Sequence, residues 1–381
     1  MTICDYQECT GCFACMNICV HNAITVTTDE FGKTIPKVND NLCVGCGVCR
    51  KVCPINNPVE QVIPSHVYAA WSKLPIDVEL SSSGGMASVL SRWILKQGGV
   101  VFGASSEGKS VRHVAIKNEK DIEKIRGSKY VQSEIQYSFR EVKTEVEKRK
   151  PVLFSGTPCQ IAGLKNYLRK DYANLYTVDL ICHGTPPTEY LTSHLRAVLP
   201  TNTDWNHVSF RGKYNFILTA YLDDKIVYQE SKDMDTYYKA FFDGLIFRDN
   251  CYQCHYAFPE RVSDITVADF WGIDRSKMEH PYDGRISLVL VNTEKGKQLF
   301  EQCCDDFIYE EHTLEEAMSP EQTNLHHPSV PHKDREIFEK AYRLKGFEKA
   351  VRKTEIGKII RKRKARLFLK SILVKIGVIK K

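Results

Sequence analysis

Cysteine spacing constrains this chain more than any other feature. Cys9, Cys12, Cys15 and Cys19 follow the pattern C-x2-C-x2-C-x3-C, and Cys43, Cys46, Cys49 and Cys53 repeat it 34 residues later. Three thiolates two residues apart can wrap one face of a small inorganic core. The fourth, beyond the first turn of a helix, points away to a neighbour. The small residues Gly11, Ala14, Gly45 and Gly47 let backbone amides come close. Structural zinc fits less well, because zinc takes four ligands from paired C-x2-C motifs rather than two sets of three plus one.

This is the spacing of bacterial two-cluster ferredoxins, in which the fourth cysteine of each run serves the other cluster. It predicts one [4Fe–4S] cluster on Cys9, Cys12, Cys15 and Cys53, and a second on Cys43, Cys46, Cys49 and Cys19. The corresponding domain is placed at residues 1–57. Val20 follows Cys19 where Pro54 follows Cys53, which loosens a turn but removes no ligand. Residues 1–8 show neither the basic start nor the apolar core of a secretory signal. Fifteen clustered cysteines in such a chain argue for metal rather than disulfides and for a cytoplasmic location. No run approaches eighteen apolar residues, so no membrane span is expected.

Ile55–Ser65, with Pro58 and Pro64, reads as a linker. A second domain is placed at 66–310, with parts at about 66–145 and 150–310. Its central stretch is Pro151–Cys182. Pro151–Ser155 is an apolar strand, Thr157 an N-cap and Pro158 a first-turn residue, with a helix following to Leu168. Leu175–Ile181 is the next strand. A strand–helix–strand of this length implies a right-handed crossover between parallel strands. Cys159 and Cys182 then share the carboxyl edge of one sheet, where open α/β sheets place ligands. Adjacent strands would bring them close enough for one metal centre. A helix N-terminus should lower the pKa of Cys159. Two buried structural cysteines are the alternative. Cys251-x2-Cys254 alone fits zinc, a redox pair or half a cluster, but with eight cysteines used by the ferredoxin repeat, Cys159, Cys182, Cys251 and Cys254 make one further set of four. Cys4, Cys303 and Cys304 fit no motif and are taken as structural or incidental.

Ser81–Gly85 opens a helix over Met86–Lys96 and offers free amides to an anion, although a plain capped helix would look the same. Gly127–Ser133 is a polar loop, and Glu134–Lys150 an amphipathic helix. Val208–Gln229 reads as a hairpin or meander turning at Asp223-Asp224, and Met234–Phe247 as an aromatic-rich helix. Residues 311–356 form a helical extension. Ten Lys and Arg and no acidic residue follow Gly357, more than the chain's whole surplus of +6. The body is therefore mildly acidic, which argues against nucleic-acid binding. The tail, 357–381, alternates these cations with Ile359, Ile360, Leu367, Phe368, Leu369, Ile372, Leu373, Ile376 and Ile379. A basic amphipathic helix of this kind can lie on an anionic membrane surface, peripheral to the inner face; a solvated or partner-bound tail is the alternative.

Taken together, Ser82-Ser83-Gly84-Gly85, Gly156-Thr157-Pro158-Cys159-Gln160, Asp179–Gly184, Cys251-x2-Cys254, Ser263–Thr266 and Asp269-Phe270-Trp271-Gly272 resemble the family of coenzyme F420 hydrogenase/dehydrogenase beta subunits. With the ferredoxin motif, the resemblance covers roughly residues 1–300. It implies a third [4Fe–4S] cluster on Cys159, Cys182, Cys251 and Cys254. It also implies FAD near Ser82, Ser83, Gly84, Gly85, Ser128, Lys129, Tyr130, Gln132, Ser133 and Thr157. The expected architecture combines α+β and α/β elements: an N-terminal bacterial-type dicluster ferredoxin domain, then a mixed α/β flavin- and cluster-binding domain. The expected function is an iron–sulfur flavoprotein oxidoreductase. Electrons would run between the ferredoxin clusters, the third cluster and FAD, to or from an organic substrate such as coenzyme F420 or another acceptor, with an electron donor or acceptor protein as partner. Lys129 and Arg211 are candidate phosphate partners, and His183 and His255 flank cluster cysteines. The alternative is an electron-carrier subunit without its own substrate site that serves a partner enzyme. No residue is singled out as catalytic.

Overall fold

The computed structural model describes residues 2–212 and 215–375. Lys213 of the predicted meander, and Ile376 and Ile379 of the predicted tail, lie outside the described residues.

The N-terminal part pairs β1 (Ile24–Thr28) with β2 (Thr34–Val38) in an antiparallel ribbon. Two short helices, Ala14–Ile18 and Val48–Lys51, lie within the two cysteine runs and carry Cys15 and Cys49. Both begin after a residue in the left-handed region, Phe13 or Gly47, so the chain turns sharply from the cysteine loop into the helix.

Thereafter one large sheet dominates. It is built from β3 (His66–Ser72), β4 (Val100–Glu107), β5 (Ser110–Ile116), β6 (Val152–Ser155) and β7 (Leu175–Leu180). Further strands β8 (His207–Arg211), β9 (Phe216–Leu222) and β10 (Lys225–Ser231) form a separate antiparallel sheet, in the order β10-β9-β8. Then β11 (Ile265–Asp269), β12 (Ser287–Val291) and β13 (Phe307–His312) return to the large sheet. Its order is β13-β3-β12-β11-β7-β6-β4-β5. The strands β11, β7, β6 and β4 run parallel, and each registers on its neighbour through buried Val, Leu, Phe and Ile. Such a run must be covered on both faces, and helices Met86–Lys96 and Pro158–Leu168 help do so.

Several expectations shift. The helix expected over Glu134–Lys150 spans only Ser138–Glu147, because Glu134 is held in a bridge to Arg112 and Gln136 takes positive φ. The helix expected over Met234–Phe247 is confined to Thr236–Phe242, and Gly244 turns the chain at φ +67°. β13 runs straight through the division placed at residue 310. Its buried Glu310 hides the apolar alternation, and that carboxylate accepts the backbone N–H of Glu279 at 3.2 Å and of His280 at 2.5 Å. The basic tail is helical from Glu355 to Lys375, but it does not split into two faces. Ile356 and Ile360 are buried in the core, whereas the consecutive Leu367, Phe368 and Leu369 are all exposed. Three adjacent apolar residues wrap around a helix rather than forming a stripe. No helix among the described residues is long and apolar enough to cross a membrane.

Candidate metal centres

The strand–helix–strand unit forms as its residues dictate. Thr157 and Gln160 make a reciprocal capping box, and Pro158 occupies the first helical turn. This places Cys159 one residue inside the helix, at the carboxyl end of β6. Cys182 follows β7, which pairs directly with β6. Cys251 and Cys254 come from a tight 3-10 turn, Asp249–Gln253, just after buried Phe247 and Arg248. The four thiols converge. Cys182 lies within electrostatic reach of Cys251, Cys159 and Cys254. Cys159 in turn feels Cys254 and Cys251.

Burial governs all four. Desolvation pushes Cys159 up to about 12 and Cys254 up to about 11, and raises Cys182 and Cys251 as well. The expected lowering at the helix N-terminus is therefore reversed for Cys159. The hydroxyl of Thr157, 3.1 Å from its Sγ, offsets only part of the desolvation. The Thr185 N–H lies 3.5 Å from the Cys251 Sγ. Four desolvated thiols become thiolates only if a positive centre compensates them, which is the chemistry of a metal site.

In the N-terminal part the cysteines sort as three plus one. Cys9, Cys12, Cys15 and Cys53 line one pocket. Cys49 instead feels Cys46 and Cys19. Cys43 is half-buried on the preceding turn, its N–H bonded to the Asn39 carbonyl at 3.0 Å, and Cys46 is exposed. Cys4, set aside on sequence grounds, is buried and lines the pocket of the first group. The neighbouring thiols and burial raise Cys4, and the same proximity lowers Cys9 and Cys53.

The first group is packed against the third. Gly163, on the helix that starts at Cys159, has no side chain because a Cβ there would come within 2.8 Å of the Cys12 Sγ. The Tyr256 ring is buried in the apolar cluster that contains Cys12, Cys159 and Cys254. Burial raises its phenol, and the charges of Cys159, Cys12, Cys254 and Cys53 add to that. Arg248 closes the seam. Its guanidinium donates to the carbonyls of Cys9 (3.0 Å) and Thr34 (3.0 Å) and to Gln132 Oε1 (2.9 Å). Nearby, Lys33 pairs with Asp249 at 2.7 Å, and Arg140 donates to the carbonyls of Asn17 (2.7 Å) and Cys19 (3.0 Å).

The ten residues marked for FAD divide. Ser82 Oγ accepts the Ser128 N–H at 2.7 Å, so those two loops touch. Ser83 Oγ lies 2.8 Å from Ser287 Oγ, at the edge where β12 begins. Tyr130 OH accepts from Arg211 Nε at 2.8 Å, and Arg211 pairs with Asp269 at the carboxyl end of β11. Lys129 Nζ donates to the Arg126 (2.7 Å) and Gly127 (3.1 Å) carbonyls, and burial brings it down to about 7. Thr157 sits at the same edge. Gly84 and Gly85 serve chain packing: a Cβ would lie 2.4 Å from the Ala70 carbonyl at the first and 3.0 Å from Asp77 at the second. Gln132 and Ser133 are buried, and the Ser133 carbonyl accepts from Gln160 Nε2 at 3.1 Å beside the carboxyl end of β6. Gln132 bonds Thr34, Arg248 and the Gly11 carbonyl, and Ser133 Oγ lies 2.8 Å from His113 Nδ1. His183 packs edge-on against Phe247 and lies 2.9 Å from Asn324, whereas His255 is exposed.

Sequence reasoning missed Cys4, Arg248 and Tyr256. Each is an unremarkable residue outside any repeat, and only the folded chain carries the first group to the third. The hint available was position: Arg248 and Tyr256 flank Cys251-x2-Cys254.

Residues 149–317 match the family model that describes the carboxy-terminal region of the coenzyme F420 hydrogenase/dehydrogenase beta subunit, and residues 8–57 match the 4Fe-4S dicluster domain. Among curated proteins, the chain is 24% identical over 169 residues to a subunit of the F(420)H(2) dehydrogenase of Methanosarcina mazei, covering 41% of this chain and 47% of that one. It is 28% identical over 189 residues to the coenzyme F420-dependent sulfite reductase of Methanocaldococcus jannaschii, covering 48% and 29%. The chain thus spans less than half the length of these relatives. One component of the F420-reducing [NiFe] hydrogenase complex from Methanosarcina barkeri, solved with xenon derivatisation, aligns over 76% of this chain and 90% of its own, at 18% identity and TM-score 0.47. Through residues 149–317 the chain is similar to the carboxy-terminal region of the coenzyme F420 hydrogenase/dehydrogenase beta subunits, and a match to a 4Fe-4S dicluster domain lies ahead of that region.

Proposed function

We propose that this protein is an iron–sulfur flavin oxidoreductase. The reading rests above all on the convergence of Cys159, Cys182, Cys251 and Cys254 from three separate stretches, directly behind the pocket of Cys9, Cys12, Cys15 and Cys53. Each set would hold one [4Fe–4S] cluster, and Cys43, Cys46, Cys49 and Cys19 the third. The exposed Cys46 puts that last group at the surface, where an electron-donor or acceptor protein can approach.

FAD is assigned to the carboxyl edge, along Ser82, Ser83, Ser128, Lys129, Tyr130 and Thr157. The residues fit an anionic nucleotide. Lys129 has no carboxylate partner among the described residues, and its ammonium bonds only carbonyls. A phosphate there would supply the missing countercharge. Gln132 is assigned instead to holding the two domains together. Clusters supply one-electron steps and a flavin supplies two-electron exchange with an organic substrate. The chain's part is to fix the spacing through Gly163 and Arg248, to exclude water around the four buried thiols, and to donate Thr157 O–H and Thr185 N–H toward sulfur. Coenzyme F420 is the proposed substrate class, on the strength of the family and the named relatives.

Anaerobic purification followed by iron, sulfide and flavin assay tests the reading. About twelve iron atoms per chain and one FAD are expected. About eight iron atoms with no flavin would favour the electron-carrier role instead.

A further inference from the structure

The first cluster pocket contains five thiols, although a [4Fe–4S] cluster has four positions to fill. The fifth is Cys4. It lies only five residues before Cys9 in the sequence, but its segment is built into the pocket rather than trailing from it. Ile3 is buried, and Asn56 Nδ2 donates to the Ile3 carbonyl at 2.9 Å. The same Nδ2 reaches the Arg50 carbonyl at 3.1 Å. Asn56 thus ties the N-terminal segment to the loop that leaves Cys53. Cys4 is itself buried. It lines the pocket together with Cys9, Cys12, Cys15 and Cys53. Cys303, equally buried, lies in the apolar core with Leu299 and Phe307, which holds none of the twelve cluster cysteines. Cys4 is therefore unlike the chain's other unassigned buried cysteine.

The geometry points to Cys4 as a reserve ligand of the first cluster, able to take the iron position of Cys53 or of Cys9. This rests on the proposal that Cys9, Cys12, Cys15 and Cys53 hold a cluster. The exchange balances without any oxidant. One iron–sulfur bond forms to Cys4 Sγ as the bond to Cys53 Sγ breaks, and the proton leaving Cys4 is taken up by the released Cys53 thiolate. No electron moves, and iron and sulfide keep their oxidation states.

The test uses the full chain purified anaerobically, with iron and sulfide counts and low-temperature EPR of the reduced protein. The variants are Cys4→Ala, Cys53→Ala, Cys9→Ala and the doubles Cys4→Ala/Cys53→Ala and Cys4→Ala/Cys9→Ala. Cys4→Ala should keep all about twelve iron atoms. Cys53→Ala should keep them too, with an altered EPR signal from the new ligand set, and its double should lose about four iron atoms. The Cys9 pair repeats the comparison independently if Cys53→Ala does not fold. Loss of about four iron atoms in both single variants, Cys53→Ala and Cys9→Ala, overturns the proposal while leaving the cluster assignment intact. Retention of those atoms in both doubles overturns it as well. A wild-type chain already lacking them refutes the cluster assignment itself, and the proposal falls with it.

Discussion

Replacing Arg248 with Met should unfasten the ferredoxin part from the body. The guanidinium is 2% exposed and spans three acceptors: the Cys9 and Thr34 carbonyls and Gln132 Oε1. Met keeps much of the volume and removes every donor. Hydrogen bonds from a charged group contribute about 1.5–3 kcal/mol each. Three at the low end amount to about 4.5 kcal/mol, and water entering the seam returns part of it, leaving a loss on the order of 3 kcal/mol. Arg248→Lys should recover less than half, because a single ammonium cannot span acceptors on both sides of the seam as a planar fork does. The assay is urea unfolding of the anaerobic holoprotein, followed in parallel by visible iron–sulfur absorbance and far-UV dichroism. The two traces should coincide in the wild type and separate in Arg248→Met, with cluster absorbance lost first. Coincident traces with a midpoint shift below about 0.5 kcal/mol would refute the assigned role of this side chain.

Three further outcomes follow from the geometry. Gly163→Val places branched carbons against Cys12, so it should bleach the first cluster while Cys49 and its neighbours keep theirs; iron counting checks this. Thr157→Val removes the hydroxyl beside Cys159 and the capping oxygen, so it should cost about 1 kcal/mol of stability and lower the third cluster's potential in an EPR-monitored redox titration. Burial works against the charge on His194, but Asp235 at 2.9 Å and Glu348 at 2.8 Å outweigh it and raise its pKa to about 9. An unfolded histidine titrates near about 6.5, so this stabilisation, on the order of 3 kcal/mol, is complete below that pH and is lost as pH rises through about 9. His194→Gln should flatten that alkaline slope in denaturation curves taken from pH 6 to 10.

What could be read from the sequence depended on whether the signal was local. The helix Met86–Lys96 formed with the expected ends, because a glycine turn before it and Gly98 beyond it mark them. The unit around Cys159 was equally local, since Thr157, Pro158 and Gln160 are neighbours that cap their own helix. β13 was not legible, because a buried glutamate interrupts its apolar alternation and its partner strand lies some 240 residues earlier, at β3. The pKa of Cys159 was misjudged for a related reason: the helix end is visible in the sequence, but the desolvation that dominates comes from distant segments packing over it. Cys4 matched no spacing rule, and its place is set by Asn56, a residue of no distinctive type.

The convergence of four distant thiols is the claim on which the rest depends, and Cys182→Ala tests it most directly. Cys182 lies outside both ferredoxin runs, so its loss should leave the first and second clusters untouched. Anaerobic iron and sulfide analysis should show a fall of about four iron atoms from about twelve, with the remaining EPR signals unchanged. An iron content equal to the wild type would mean that Cys159, Cys182, Cys251 and Cys254 do not hold a cluster together.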